Sequence, residues 1–162
     1  MASPSPGSLT AAEKRTRRNR VARIARKLGF VGRVEYRHVY SQTGGAQYGR
    51  GNTIEEDLLT VYAEAFERDA EPEDFSLEAM IAHECGHQML ARHPRIAERV
   101  VGISDASEEI LASLLGAMIC DADADRDTLF AKAIAELFDH GQSVASAQRQ
   151  LQELWNLLES LL

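Results

Sequence analysis

The stretch from Leu77 to Arg92 reads LEAMIAHECGHQMLAR, and it decides how the rest of the chain is read. Pro94 disfavours helix in His93, the residue before it, so a helix is expected over about 76–92. Leu77, Met80, Ile81, Ala82, Cys85, Met89 and Leu90 cover most of its circumference. A helix apolar on nearly all sides belongs in the interior. Two histidines and a glutamate buried in such a helix cost free energy unless something satisfies them, and a metal ion does so.

The spacing of these polar residues is specific. His83 and His87 stand at i and i+4, on one helical face, where two imidazoles can reach one zinc ion at ~2.0–2.1 Å. Glu84 is turned from His83 by ~100°, so it can reach a water on the metal without being a ligand. Zinc brings the pKa of such a water to ~7, and the carboxylate can take its proton. Gly86 weakens the helix by ~1 kcal/mol relative to Ala, which implies that another element packs close there. Cys85 points away from the histidines and reads as a buried, inert thiol. A surface helix carrying two unrelated histidines is the competing reading, and two rare residue types plus a carboxylate at fixed spacing argue against it.

A catalytic zinc takes three protein ligands and keeps one position open. The third is expected downstream, on a helix that packs against the first. Asp105-Ala-Ser-Glu108 is a capping-box arrangement, which gives Glu108 a structural task and leaves Glu109. Ala112, one turn on, is small enough for close helix contact. Asp121, which opens Asp121-Ala-Asp-Ala-Asp125, is the rival ligand, with a shorter side chain and a longer spacing from His87.

His83-Glu84-Cys85-Gly86-His87 followed by Glu109-x-x-Ala112-Ser113 resembles the gluzincin metallopeptidases. Within them it is most similar to the ImmA/IrrE type, whose pattern is HExxH followed by E-x-x-A-N or E-x-x-A-D. The resemblance implies His83, His87 and Glu109 as zinc ligands and Glu84 as general base. It further implies a zinc-dependent metalloendopeptidase acting on a protein or peptide, with a repressor or similar regulator as the substrate class. It also suggests that Leu58 to Tyr62 serves as an edge strand to which substrate adds. Ser113 departs from the family's Asn or Asp, though it too can hydrogen-bond a ligand histidine. The family's Leu-Met-Pro-like ending after the glutamate helix is missing. The alternative function is a non-catalytic, zinc-stabilised regulatory or protein-binding domain.

Outward from these motifs, Thr10-Ala-Ala-Glu13 is a capping box that opens a helix over about 10–28, stopped by Gly29. Phe30 to Tyr40 and Leu58 to Tyr62 read as strands, with something short pairing around Ala46–Tyr48. Helices are expected from Ser104 or Asp105 to about Ile119, over about 124–139 with Gly141 as the stop, and over about 143–161. The expected fold is α+β: an N-terminal helix, a small β-sheet, the HExxH helix, a glutamate helix and a C-terminal helical hairpin. Residues 1–8 read as a disordered leader and 9–162 as one zincin-like metallopeptidase domain.

The aspartates at 121, 123, 125 and 127 are spaced like a calcium loop, but Arg126 and Lys132 stand where such a loop needs Gly and Glu. A solvated helix start is the better reading. Tyr36, His38, Tyr40, Tyr48 and His93 are all open as donors to an oxyanion, and His140 is unassigned.

The chain has 162 residues, 44% hydrophobic and 27% charged, with net charge −7. The basic residues cluster: Lys14, Arg15, Arg17, Arg18, Arg20, Arg23, Arg26 and Lys27 face only Glu13 within 13–27. That helix can meet an acidic partner or DNA, while the acidic body is a poor nucleic-acid binder; a solvated face is the plainer reading. No apolar run approaches the ~20 residues that span a bilayer, so no membrane partner is expected. Two cysteines make no disulfide framework, and Met1 to Gly7 lacks the order of a secretion signal, which points to the cytoplasm.

Overall fold

Thr10 opens the first helix as expected. Its hydroxyl accepts the Glu13 N–H and the Glu13 carboxylate accepts the Thr10 N–H, both at 3.1 Å, and the helix α1 runs Ala11–Lys27. Val21, Ile24 and Ala25 form its buried stripe. In the computed structural model, which describes residues 5–99, 105–139 and 143–162, the chain continues through β1 (Arg33–Arg37) and β2 (Ala46–Gly49). A single 3-10 turn (Ile54–Glu56) precedes β3 (Leu58–Tyr62). Then come the helices α2 (Ala63–Ala70), α3 (Leu77–Arg92), α4 (Pro94–Arg99), α5 (Asp105–Ile119), α6 (Asp123–Asp139) and α7 (Val144–Leu161). The fold is α+β, and no helix among the described residues is long and apolar enough to cross a membrane.

Three local expectations need correction. The first strand is shorter than Phe30–Tyr40, because Phe30 belongs to the end of α1: its N–H donates to the Ala25 carbonyl and its ring is 2% exposed. Helix α2 follows β3 with no side-chain cap at Tyr62, so no capping signal announces it; burial of Ala63 and Ala65 holds it in place. Pro94 stops α3 but also begins α4, since proline suits the first turn of a helix. Residues 1–4, Ser104, His140 and Gly141 lie outside the described residues, as do the side chains of Asp105 and Ser107, so the expected capping box at Asp105 falls there too.

The sheet order is β1-β3-β2, with β1 parallel and β2 antiparallel to β3. Leu58–Tyr62 is therefore the central strand and not an edge. Its expected role as a substrate-binding edge fails because both its sides are already hydrogen-bonded; β1 and β2 are the edges, and of the two β2 lies against α3.

Two apolar clusters lie on either side of the α3–α5 contact. One joins α1, the sheet and α3 through residues such as Val21, Phe30, Leu59 and Ile81; the other joins α5, α6 and α7 around Leu111, Leu114, Leu115 and Leu158. The two central helices approach closely. A Cβ on Gly86 would stand 2.0 Å from the Ala112 carbonyl oxygen, and one on Gly116 would stand 2.7 Å from that of Ala82. The helix-weakening glycine inside the HExxH motif is thus required by backbone contact.

A second constraint is polar. Asp57 is 0% exposed, and its carboxylate accepts from the Tyr48 hydroxyl (2.7 Å), Gly51 N–H (2.8 Å), Gln88 Nε2 (3.0 Å) and Arg92 Nε (3.0 Å). These bonds tie β2 and the loop after it to the last turns of α3. Burial alone would raise the Asp57 carboxyl, but hydrogen bonds from Arg92, Gln88, Gly51 and Tyr48 together hold it well below the usual carboxylate range.

Two tests follow from these contacts. Gly86→Ala forces a Cβ against backbone and is expected to lower unfolding free energy by about 3 kcal/mol, read by denaturant titration; an unchanged midpoint contradicts the close approach. Because the folded Asp57 carboxyl lies below its unfolded value, its contribution is complete above about pH 5 and drains away as pH falls toward the folded value. Asp57→Ala, which strands Arg92 and Gln88, is expected to cost about 3–5 kcal/mol at pH 7 and to flatten the stability profile below pH 5. An equally steep acid loss in the variant rules Asp57 out as its source.

Candidate metal centre

Ser76 caps α3 by accepting the Ala79 N–H, and the helix carries His83, Glu84 and His87 into the interior as its spacing requires. The contact at Gly86 sets Ala112 of α5 against this segment, so Glu109, one turn earlier on α5, reaches both histidines. Glu109 Oε2 lies 3.0 Å from His83 Nε2, and Oε1 lies 3.1 Å from His87 Nε2. The rings stand edge to face with centroids 4.8 Å apart. One ligand atom from each of His83, His87 and Glu109 falls within 4.8 Å of the others, so the three form a group that could hold a metal ion.

The donor set fits a cation. A carboxylate oxygen and two imidazole nitrogens can all turn lone pairs toward one divalent ion with both rings neutral. Ser113 Oγ lies 3.0 Å from His83 Nδ1, so the serine that departs from the family pattern occupies the place of an orienting partner. Glu108 Oε1 is 3.8 Å from His87 Nδ1, close but beyond a hydrogen bond. With only protons available, burial lowers the His83 pKa. Burial also pulls on His87, where the opposing hydrogen bond and charge of Glu109, with Glu84 and Glu108 nearby, leave a net rise. Hydrogen bonds from His83 and His87 hold Glu109 far below the usual carboxylate range.

Glu84 stands apart from this trio. Burial raises its carboxyl to about 7, with the nearby charge of His87 and the Tyr48 backbone opposing the rise. It lines two cavities. One is a cleft of about 730 Å³ on the His87 side, walled by β2 residues Ala46, Gln47 and Tyr48 and by Leu90, Ala91 and Leu111. The other, of about 200 Å³, lies on the His83 side. Glu84 and Glu109 border both.

The rival ligand is elsewhere. Asp121 is exposed beyond the far end of α5 and pairs with Lys27 at 3.0 Å. Of the proposed oxyanion donors, only Tyr48 lines the cleft, and its hydroxyl is committed to Asp57; burial and that hydrogen bond push its pKa up to about 12. Tyr36 bonds Arg17 and His38, Tyr40 bonds Glu67, and His93 caps α3 with its buried Nδ1 unpartnered. None of these four borders either cavity. Cys85 is buried, and desolvation pushes its thiol up to about 12, as an inert cysteine requires. The Asp123–Asp127 segment simply opens α6. Several basic residues of α1 are held by the protein itself, Arg20 by Asp69 and Lys27 by Glu78 and Asp121.

Lys132, Arg50 and Arg68 border the cavities, although no motif or spacing marks them for that place. Lys132 comes from α6, with no spacing relation to the HExxH helix; it was visible only as the residue that breaks the calcium-loop pattern.

Glu109→Ala is expected to abolish binding of one divalent ion per chain and Ser113→Ala to weaken it about tenfold, whereas Asp121→Ala leaves it unchanged, all read by calorimetric zinc titration. Loss of binding in Asp121→Ala would reassign the third ligand. Comparison with protein-family models, with curated proteins and with solved structures gave no match.

Proposed function

We propose that the chain is a zinc-dependent metalloendopeptidase with His83, His87 and Glu109 as ligands and Glu84 as general base. The observation that carries this reading is the placement of Glu84: a half-buried carboxylate that lines the open cleft beside the His83, His87 and Glu109 group but stands outside it. Two nitrogens and a carboxylate oxygen are a donor set that suits zinc and leaves a position free for substrate. Zinc bound there supplies Lewis-acid polarisation of the scissile carbonyl and acidifies the attacking water. The Glu84 carboxylate, beside the trio and lining the cleft, would take the proton of that water and pass it to the leaving amine nitrogen.

The edge of β2 supports peptide binding. Its other side pairs with β3, and its residues wall the cleft, so an extended substrate can add as a further strand through main-chain hydrogen bonds. Cavities on both sides of the trio let a chain continue in either direction, which favours cleavage within a protein over trimming at its end. The resemblance to the ImmA/IrrE type makes a regulatory or repressor protein the substrate class to try first. In a purely structural zinc domain, a half-buried Glu84 beside an open cleft would have no task.

Glu84→Gln is expected to bind zinc with wild-type stoichiometry and to cleave protein substrates about a hundredfold to ten-thousandfold more slowly. Equal rates in the two proteins, or full zinc loading with no cleavage by the wild type, sink the peptidase reading.

A further inference from the structure

We propose that the smaller cavity, beside His83, is a specificity pocket that receives an acidic side chain adjacent to the scissile bond. This inference rests on the peptidase reading above. The cavity of about 200 Å³ suits one side chain, and Phe75 and Met80 give it an apolar wall for a methylene stem. Its polar head is cationic, formed by Arg68 of α2 and Lys132 of α6.

Arg68 is held rigidly. Its Nε donates to Asp74 Oδ1 at 3.0 Å, one terminal nitrogen donates to the Gly44 carbonyl at 2.6 Å, and the guanidinium lies 5.0 Å from the Phe75 ring centroid. The other terminal nitrogen pairs with Asp74 at 2.9 Å. A guanidinium has five N–H donors, so some remain for a ligand, although Asp74 offsets its charge.

Lys132 supplies the net charge. Its nearest carboxylate oxygens are Glu109 Oε2 at 3.7 Å and Glu136 Oε1 at 4.0 Å, both too far for a hydrogen bond. A metal held by His83, His87 and Glu109 would draw on the Glu109 carboxylate and offset its charge. The Lys132 ammonium, which lines the pocket, would then keep only Glu136 at 4.0 Å as its partner. Glu84 also borders the cavity, so an acidic side chain is accepted only when the metal offsets the carboxylates around it. The large cleft on the other side is more mixed, with Leu90, Ala91 and Leu111 beside both Glu108 and Arg50.

The direction of β2 gives the position. Gly44, just before β2, borders only the small cavity, Tyr48 borders only the large cleft, and Ala46 borders both. A substrate strand laid antiparallel to β2, as β3 is on its other side, would run from the cleft toward the small cavity. In that orientation the pocket takes the residue that follows the scissile bond.

The test uses peptides identical except for Glu, Gln or Lys at that position. They are cleaved by zinc-loaded wild type and by Lys132→Met and Lys132→Glu, and their binding to zinc-loaded Glu84→Gln is measured by calorimetry. The expected result is a preference for Glu over Gln of about tenfold in both kcat/KM and affinity, the scale of a charge-assisted hydrogen bond. The ratio falls to about one in Lys132→Met and turns toward Lys in Lys132→Glu, with zinc content and circular dichroism unchanged. Cleavage without acidic preference, or a preference that survives Lys132→Glu, overturns the pocket and leaves the peptidase intact. No cleavage of any peptide by the wild type overturns the peptidase reading, and the pocket with it.

Discussion

The near-contact of two helix backbones, α3 and α5, is the constraint on which the site depends. Gly86 lies under the carbonyl of Ala112, and Gly116 lies under that of Ala82. Side chains larger than these would separate the axes, and with them the two halves of the ligand set. The separation is set by small residues in both helices, so His83 and His87 on one and Glu109 and Ser113 on the other meet with little freedom. Sites on rigid helices are positioned more tightly than sites on loops. The stability lost by placing glycine in a helix is offset by this packing.

Electrostatic compensation is the second theme. Three carboxylates around the central helices meet three kinds of environment. Asp57 is surrounded by donors that fix its charge. Glu109 faces two imidazoles and reads as a ligand. Glu84 is desolvated with little compensation and is pushed toward neutrality. The same side-chain chemistry thus divides into an anchor ringed by donors, a carboxylate set between two imidazoles and a desolvated carboxyl, according to its neighbours. The anchor also serves the site, since Tyr48 bonds Asp57 through its hydroxyl while its strand walls the cleft.

Much of this was legible in the sequence because helical periodicity carries it. The two histidines, the offset of Glu84 and the close contact at Gly86 follow from residues a fixed number of turns apart, while Glu109 was preferred to Asp121 on side-chain length, spacing and resemblance; the structure brings the two histidines and Glu109 together. What depends on sheet topology or on distant helices was not legible. Leu58–Tyr62 is a fine strand by composition, but nothing local says that two neighbours flank it, so it is central where an edge was expected. Helix α2 carries no capping side chain to mark its start. Buried Asp57 and Gln88 look like surface residues until Arg92 and Tyr48 are seen beside them. Lys132 enters the site only because α6 packs beside α5.

The measurement that tests the central claim most directly is X-ray absorption spectroscopy at the zinc edge on the zinc-loaded protein. The account requires a first shell of nitrogen and oxygen only, at about 2.0–2.2 Å, with the outer-shell pattern of two imidazoles. The carboxylate oxygen should be lost from that shell in Glu109→Gln. A sulfur scatterer at about 2.3 Å, which would place Cys85 or Cys120 on the metal, or the signal of a single imidazole, would contradict it.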